Sequence, residues 1–503
     1  MKHRIYPAPV SENYTGGTFP FGSKVLLRIS DDFTNDGYIS KMKELWYGFC
    51  YECSSLQIET DKSLAPHSFA IGDFSISDKE PSEYEYILKI TDSGVSAKGY
   101  SDKEVLYSFY TLLQMLKIES LDEGEESFYI DCGEIVDKPA IKFRSLIFCV
   151  HPYTSLTLLR KQVRLAGLMK FTHILFEYWG SLKLDSLPEL AWENAHTKEQ
   201  MKPIIQDAID MGMEVVPIFN HLGHASGSEM LACKHVVLDQ NPRLAPLFEN
   251  SGWSFCVSNE RTKNLLKAIR SELIDFSGKG SYFHIGMDEA HDFGRCDRCS
   301  QFAPEELLSN FVNEVSADLK AQGRQTLMWA DMLTYKEDFK KYNTQKDGRT
   351  NLLVANGEDT CPTHKALKYI NKDVILVDWQ YLYVGDYDEP LHTSVYLKEN
   401  GFKTISAAWK NFQNVTYLCT EIAKNNSFGY MAAIWQSVVD NPEMIPFASE
   451  AAWLGEKAQF MDTNRHALWF YNTANLQRRL LLHCDNYEDA GMMGTLPTMT
   501  KFC

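Results

Sequence analysis

The 503-residue sequence lacks the features that mark several protein classes. It has no apolar run long enough to span a bilayer, so we do not expect a membrane protein. The first ten residues also lack the apolar core of a secretory signal peptide. We therefore expect a cytoplasmic protein, or an extracellular one if a leader segment has been removed.

Basic clusters are absent as well. The formal net charge is −17, and the lysines and arginines are dispersed along the chain. A nucleic-acid-binding protein would show a basic patch, so nucleic acid is not an expected partner. The hydrophobic fraction of 44% and the charged fraction of 23% are ordinary for a globular protein and argue against long disorder.

The twelve cysteines have no spacing typical of a disulfide framework. Two Cys-x-x-Cys pairs occur, Cys50/Cys53 and Cys296/Cys299. A single pair supplies only two of the four ligands that a structural zinc ion needs. A disulfide or an adventitious metal site at Cys296/Cys299 stays open, but we expect free thiols.

The first part of the chain, residues 1–138, is predicted to be a small α+β sandwich domain. Residues 23–30 have a strand pattern, and residues 35–50 have the periodicity of an amphipathic helix. Alternating residues around Asp92-Ser93-Gly94 predict a hairpin. A helix over residues 102–117, capped by its first residue, follows.

From Ile141 onward, strand patterns alternate with helix patterns. Such alternation predicts an α/β fold, and we predict a (β/α)₈ TIM barrel over residues 139–455, followed by a short helical tail over 456–503. An open doubly wound sheet is disfavoured because no Gly-x-Gly-x-x-Gly follows the first strand. The predicted barrel strands are 143–150, 173–177, 214–219, 282–285, 326–329, 374–379, 404–408 and 430–435.

One strand end carries two adjacent acids. Residues 281–292 read Ser-Tyr-Phe-His-Ile-Gly-Met-Asp-Glu-Ala-His-Asp, so a β-prone run meets a glycine and then Asp288 and Glu289. Side chains on an extended segment alternate in direction, so the two acids can flank a ligand in different environments. The alternative is an ordinary acidic helix start. The neighbouring His284 and His291 favour a functional site.

Aromatic and polar side chains recur at the predicted ends of other strands. In a (β/α)₈ barrel these ends meet on one face, where the chemistry takes place. Pyranose rings have apolar faces that stack on tryptophan, and hydroxyls that need hydrogen-bond partners. Core packing explains any single tryptophan, but repetition at equivalent positions predicts a sugar pocket. The side chains concerned are Glu177, His224, Trp329, Trp379, Tyr381, Trp409 and Trp435.

The string from His284 to Glu289 resembles the His-x-Gly-x-Asp-Glu signature of glycoside hydrolase family 20, the β-N-acetylhexosaminidases. The resemblance covers residues 85–455, and Glu177-Tyr178 and Met287 look more like the intracellular, hexosaminidase D-like branch. It implies the barrel, a small domain ahead of it, and exo-release of terminal β-linked N-acetylglucosamine or N-acetylgalactosamine.

The same resemblance implies roles for individual residues. Arg144 corresponds to an arginine that grips sugar hydroxyls. His224 corresponds to the histidine of the family's third-strand motif, whose acidic position is Asn220 here. The family's Trp-x-Glu on strand eight is replaced by Trp435-Gln436-Ser437. The tryptophans assigned to the wall of the sugar pocket are Trp329, Trp379 and Trp435.

The resemblance also implies a mechanism in which the 2-acetamido oxygen of the substrate is the nucleophile. Glu289 is then the general acid and base. Asp288 stays ionised, orients the acetamido group and stabilises the oxazolinium intermediate. The implied reaction proceeds with retention and requires no metal or cofactor. The expected partner is an oligosaccharide with a terminal N-acetylhexosamine. A homodimer is left open.

Two other functions stay open. A metal-dependent TIM-barrel hydrolase would use His221, His224, His284 and Asp288, because imidazole and carboxylate groups are zinc ligands. A non-catalytic sugar-binding barrel would hold the sugar without turnover. The intact Asp-Glu pair argues against the binding barrel, and loss of activity with a chelator would favour the metal enzyme.

Overall fold

Two eight-stranded sheets follow one another along the chain. In the computed structural model, the part of the chain that is described contains no helix long and apolar enough to cross a membrane. The described residues are 5–51, 53–73, 78–120, 126–178, 180–226, 241–346, 349–435, 442–464, 466–477 and 479–480.

The first sheet is mostly antiparallel. Its strands are β1 (Ser11–Phe21), β2 (Lys24–Ile29), β3 (Ser55–Thr60), β4 (Ser68–Gly72), β5 (Tyr86–Ile90), β6 (Gly94–Gly99), β7 (Lys117–Ser120) and β8 (Glu126–Asp137). They lie in the order β1-β8-β5-β6-β4-β2-β3, with β7 beside β8. Only the β2–β3 pair within this order is parallel.

Two amphipathic helices, α1 (Asp36–Phe49) and α2 (Asp102–Met115), pack on this sheet. Their apolar faces meet strand residues, as in the contact of the Trp46 and Phe21 rings at 5.1 Å. Ser101 caps α2, one residue before the predicted cap. The predicted helices and the β5–β6 hairpin are present, and the predicted α+β sandwich is confirmed.

The second sheet is a closed parallel barrel. Seven neighbouring pairs of strands are in parallel register. The third and fourth strands are joined by a single bridge between Ile218 and His284 and by backbone hydrogen bonds from Phe219 and His221 to the carbonyls of His284 and Ile285. The predicted TIM barrel is therefore confirmed. Its strands are β9 (Phe143–Cys149), β10 (His173–Glu177), β11 (Glu214–Pro217), β12 (Tyr282–His284), β13 (Gln325–Trp329), β16 (Ile375–Trp379), β17 (Lys403–Trp409) and β18 (Gly429–Ile434), and a small hairpin of β14 (Thr344–Lys346) and β15 (Arg349–Asn351) lies outside it.

Helices alternate with the barrel strands and continue into the tail. Four of them begin after polar caps, Ser155, Thr197, Asn259 and Asn411, whose side chains accept backbone N–H groups. These helices are α3 (Leu156–Leu168), α4 (Lys198–Asp210), α5 (Glu260–Ser277), α6 (Pro304–Ala321), α7 (Lys336–Phe339), α8 (His392–Glu399), α9 (Phe412–Asn425), α10 (Met444–Leu454) and α11 (His466–Gln477).

The interior of the barrel is filled by alternate strand residues, among them Ile147, Leu175 and Val377. Trp379 and Trp435 continue this core at the carboxyl ends of the strands. The polar residues that follow the strands therefore surround a mouth floored by aromatic rings.

A buried ion pair joins the barrel to the first sheet. Lys170 Nζ lies 3.1 Å from Asp137 Oδ2, and both side chains are fully buried. The amine also donates to the hydroxyls of Tyr86 at 2.8 Å and Thr111 at 3.0 Å. Trp453 donates to the other oxygen of Asp137 at 2.6 Å. Charge-assisted hydrogen bonds in a buried interface therefore join the small domain to the barrel.

The described part of the tail is helical. The ring of Trp469 in α11 packs 5.3 Å from Phe447, and Gln477 donates to Gln162 of α3. Tyr471 of α11 is 64% exposed, on the side of the helix away from these contacts. Residues 481–503 lie outside the described part of the chain. We retain the division into 1–138, 139–455 and 456–503 as a proposal.

Candidate active site

The two acids sit on a backbone of unusual conformation. After β12, Gly286, Met287 and Glu289 all have positive φ, at 68°, 84° and 49°. A Cβ at Gly286 would meet Asn220 Oδ1 at 1.4 Å, so only glycine fits there. Positive φ is a strained conformation for non-glycine residues such as Met287 and Glu289, and such strain concentrates at functional sites. The tight turn places both carboxyl groups at the carboxyl end of the barrel.

His224 holds both acids. Its Nε2 lies 3.1 Å from Asp288 Oδ2 and 3.2 Å from Glu289 Oε2. The imidazole is 4% exposed, the Asp288 side chain 15% and the Glu289 side chain 36%. One ring nitrogen therefore serves two carboxyl groups, and Glu289 is the group more open to an incoming ligand. The structure thus brings together three residues that were predicted separately for the site, Asp288, Glu289 and His224.

Trp253 is a site residue that the sequence did not indicate. Its indole Nε1 donates to the Glu289 carbonyl at 2.6 Å, and its ring packs edge-to-face on His224 at 4.4 Å. It comes from the long segment between β11 and α5, where no strand pattern marks a position at the mouth. The Trp253 indole N–H therefore holds the peptide group between Glu289 and Ala290 in place.

Asp331 lies beneath the acid pair. Its Oδ2 accepts the Glu289 backbone N–H at 3.0 Å and Asn356 Nδ2 at 2.8 Å, and its Oδ1 accepts Trp379 Nε1 at 3.1 Å. Burial, together with the charge of Asp288, raises the pKa of Asp331 to about 7. Asp331 follows Trp329 by two residues at the end of β13, so its position at the mouth was visible in the sequence although its role was not.

The predicted aromatic residues form a connected wall. Trp329 is 6.0 Å from Trp435, ring to ring, and Trp435 Nε1 donates to the Tyr381 hydroxyl at 3.0 Å. The Tyr381 ring lies 5.1 Å from Trp379 and 5.8 Å from Trp409. Four neighbouring strands, β13, β16, β17 and β18, thus bring these rings to one side of the mouth.

The Tyr381 hydroxyl stays protonated and can donate a hydrogen bond at the mouth of the barrel. Burial raises its pKa well above 10, and the negative charges of Asp288, Asp331 and Glu289 act in the same direction. Because the oxygen already accepts a hydrogen bond from Trp435, its own proton is available for a ligand acceptor.

A family model described as glycosyl hydrolase family 20, catalytic domain, matches residues 176–448, more than half of the chain. This chain belongs to glycosyl hydrolase family 20. The match contains the acid pair and every aromatic residue of the wall, so the family's catalytic domain carries the mouth described above.

Relatives of this family-20 chain are distant. A β-hexosaminidase of Porphyromonas gingivalis is 25% identical over 314 residues, which cover 56% of this chain and 39% of that protein. The chain thus matches well under half the length of this curated relative.

Solved structures share the fold over nearly the whole chain. A chitobiase of Flavobacterium johnsoniae superposes with a TM-score of 0.67 at 16% identity, over 99% of this chain and 77% of that one. An exo-β-N-acetylglucosaminidase of Vibrio harveyi, in complex with N-acetylglucosamine, gives 0.66 at 14% identity, over 94% and 77%. The family-20 architecture therefore extends over the N-terminal sheet as well as the barrel.

Arg144 lies at the opposite end of the barrel. It is the second residue of β9, and its buried guanidinium donates to the carbonyls of Ile141, Lys142 and Lys170. It also lies 4.8 Å from the Trp453 ring. These partners surround the amino ends of the strands, so Arg144 cannot reach a sugar bound at the carboxyl ends. The prediction that Arg144 binds sugar hydroxyls is wrong.

Glu177 ends β10 on the inner side of the barrel. It is 3% exposed and has the phase of Leu175, whose side chain fills the interior. This location fits the predicted substrate-binding role, which stays a prediction. Gln436 and Ser437, which replace the family's Trp-x-Glu motif, lie outside the described residues.

The four-residue metal set of the alternative hypothesis is not assembled. His221 and His284 are fully buried, and burial lowers the pKa of both, that of His284 to about 3. His284 Nδ1 accepts the Gly286 N–H at 3.0 Å. Among the residues that the structure describes, only His224, Asp288 and Glu289 bring ligand atoms within 4.8 Å of one another at this mouth.

Proposed function

We propose that the chain is an exo-β-N-acetylhexosaminidase that removes terminal β-linked N-acetylglucosamine or N-acetylgalactosamine with retention of configuration. One observation carries the proposal: Asp288 and Glu289 meet at one imidazole nitrogen beside a wall of five aromatic rings. Paired carboxyl groups beside stacking surfaces suit a glycosidic bond. The Vibrio harveyi relative with bound N-acetylglucosamine supports the choice of sugar.

Glu289 is proposed as the proton donor because it is the more exposed acid of the pair. It protonates the glycosidic oxygen as the bond to C1 breaks, and the acetamido carbonyl oxygen attacks C1 from the opposite face. Water then attacks C1, and the Glu289 carboxylate accepts its proton. Two inversions at C1 give net retention.

Asp288 is proposed to stay ionised and to accept the acetamido N–H. It is the less exposed acid, so its charge is less screened by water than that of Glu289. A fixed anion beside the acetamido group stabilises the positive oxazolinium ion and orients the attacking oxygen. Orientation of an internal nucleophile supplies about 7 kcal/mol or more of the barrier reduction.

The leaving group separates the two roles experimentally. Glu289→Gln should lower kcat/KM by about 10²–10⁴ on a β-linked disaccharide, because that leaving oxygen needs a proton. The loss should be smaller on a 4-nitrophenyl glycoside, since 4-nitrophenolate leaves without full protonation. Asp288→Asn should lower kcat by about 10²–10³ on both substrates and weaken a thiazoline inhibitor, which mimics the oxazolinium ion.

Asp292→Asn is the matched control for these variants. Asp292 lies on the same loop but accepts from Ser251 and Ser254 rather than from His224, so most of the activity should remain. Proton NMR of the first product formed would show the β-anomer if configuration is retained. Near-wild-type turnover of both substrates by Glu289→Gln, or an α-anomeric first product, would refute the proposed mechanism.

A metal-dependent hydrolase is the second candidate, since His224, Asp288 and Glu289 have the arrangement of three protein ligands around an open position. A chelator that abolishes activity, together with a bound zinc ion that is lost in His224→Ala and kept in Cys299→Ser, would establish it. Activity that survives exhaustive chelation supports the substrate-assisted mechanism instead. Tight sugar binding without turnover would identify the remaining alternative, a binding barrel.

A further inference from the structure

A second polar cluster lies outside the acid pair. Glu249, Cys256, Cys296 and Cys299 are 2%, 0%, 6% and 0% exposed, and one ligand atom from each lies within 4.8 Å of all the others. Cys256 Sγ is 3.4 Å from Cys296 Sγ and 3.6 Å from Cys299 Sγ. The Cys296/Cys299 pair noted in the sequence thus has a third thiol and a carboxyl group beside it.

The sulfur separations suit a shared metal ion. Zinc–sulfur bonds of about 2.3 Å in a tetrahedron place two sulfurs about 3.8 Å apart, close to the separations in this cluster. A disulfide bond has an S–S length of about 2.05 Å, so Cys256 is not bonded to Cys296 or to Cys299. The Cys299 backbone N–H also points at Cys296 Sγ, 3.4 Å away, an interaction that stabilises a thiolate.

Glu249 is held in place for a fourth ligand. Its Oε2 accepts the backbone N–H groups of Arg295 at 3.0 Å and Cys296 at 2.6 Å, and its Oε1 accepts that of Gly294 at 3.2 Å. These bonds orient the carboxylate toward the thiols, as outer-shell bonds do for metal ligands. The backbone N–H groups stabilise the buried carboxylate, whose negative charge makes it a suitable ligand for a cation beside the three thiols.

We propose that Glu249, Cys256, Cys296 and Cys299 bind one structural zinc ion. Thiolate and carboxylate ligands in a set of four suit zinc. Four protein ligands leave no open position, so the ion has no role in bond cleavage. The proposal is independent of the hydrolase function, and it replaces the expectation of free thiols at Cys296 and Cys299.

The ion would join two loops that shape the mouth. Glu249 and Cys256 flank Trp253, which donates to the Glu289 carbonyl, while Cys296 and Cys299 follow the acid pair along the chain. Ser251 Oγ also bonds Asp292 between these loops. Zinc at this position would fix both the acid pair and its indole partner.

Metal analysis of the intact chain tests the proposal. Protein purified without chelators from zinc-supplemented cells should contain about one zinc ion per chain. Cys299→Ser should lose the zinc ion, whereas Cys361→Ser should keep it. Cys361 is a suitable control because its buried thiol lies outside the cluster and contacts the carbonyl of Phe293, in the loop between the acid pair and Cys296. His224→Ala should also keep the ion, which separates this cluster from the acid pair.

A second measurement covers the case in which Cys299→Ser fails to fold. A thiol-specific mercurial added to the native wild-type chain should release zinc to a colorimetric chelator, and cobalt substitution should give thiolate-to-cobalt charge-transfer absorption. Wild-type protein without zinc or cobalt binding would overturn the proposal. So would a disulfide within the cluster, seen as a mass deficit of two hydrogens, or zinc lost with His224→Ala and kept with Cys299→Ser.

Discussion

Asp331→Asn is the most informative perturbation of the family-20 site, because it removes one acceptor without changing shape. The Asp331 carboxylate accepts three N–H groups, from Glu289, Asn356 and Trp379. An amide keeps one acceptor oxygen and turns the other position into a donor. Whichever way the amide is oriented, at least one buried N–H faces another donor.

The cost follows from that mismatch. A buried donor without an acceptor costs about 1–3 kcal/mol. If the amide oxygen faces Glu289 and Asn356, the Trp379 indole N–H loses its acceptor. In the other orientation, the backbone N–H of Glu289 loses its acceptor. Either loss displaces an aromatic ring or an acid of the site, so we expect kcat/KM to fall about 10- to 100-fold.

Steady-state kinetics on the 4-nitrophenyl substrates provide the assay, with the folded fraction checked by circular dichroism. Asp378→Asn is the matched control. Asp378 is also buried, and burial raises its pKa to about 6, but it accepts from Gln380 and Thr393 in the outer layer. Equal losses in the two variants, or wild-type kinetics for Asp331→Asn, would refute the positioning argument.

Three further predictions concern one residue of the active site and two buried charged groups elsewhere. Trp253→Phe keeps the ring but removes the donor to the Glu289 carbonyl, so kcat should fall about 10-fold in the same assay. Lys170→Met leaves the buried Asp137 charge unpaired and should lower the free energy of unfolding in urea by about 3–5 kcal/mol. Burial raises the pKa of Glu450 from 4.5 to about 7, which gives stability that is present below pH 4.5 and lost as pH rises through 7. Differential scanning fluorimetry of Glu450→Gln should therefore show a flatter dependence of Tm on pH between 5 and 8.

Each of these predictions has a contrary result. Unchanged kcat in Trp253→Phe would show that the indole is only packing. A loss below about 1 kcal/mol in Lys170→Met would show that Asp137 is solvated or neutral in the folded chain. A Tm profile for Glu450→Gln that parallels the wild type would show that this carboxyl group does not titrate in that range.

The barrel was readable from the sequence because burial on both faces gives each parallel strand a short apolar run. The eight predicted strands all occur, with ends displaced by only a few residues. The first sheet was less visible. Strands β1, β3, β4, β7 and β8 were missed. In β1, most residues are exposed and the alternation is broken by Gly16 and Gly17.

Site residues were predictable where they follow a strand directly. Asp288, Glu289, Trp329 and Trp435 are fixed at the mouth by the strand that precedes each of them. Arg144 was misassigned because its role was taken from the family resemblance, although it is the second residue of the predicted strand 143–150 and so lies at the amino end. Its guanidinium donates to the Lys170 carbonyl at that end.

Local periodicity was enough to predict the alternation of strands and helices and to place the adjacent acids and the aromatic residues at strand ends. Contacts between long loops were not predictable in this way. Trp253 reaches Glu289, Asp331 supports it from beneath, and Cys256 joins Cys296. These contacts span 36, 42 and 40 residues, and they form because closing the barrel brings loops from separate strands to one face.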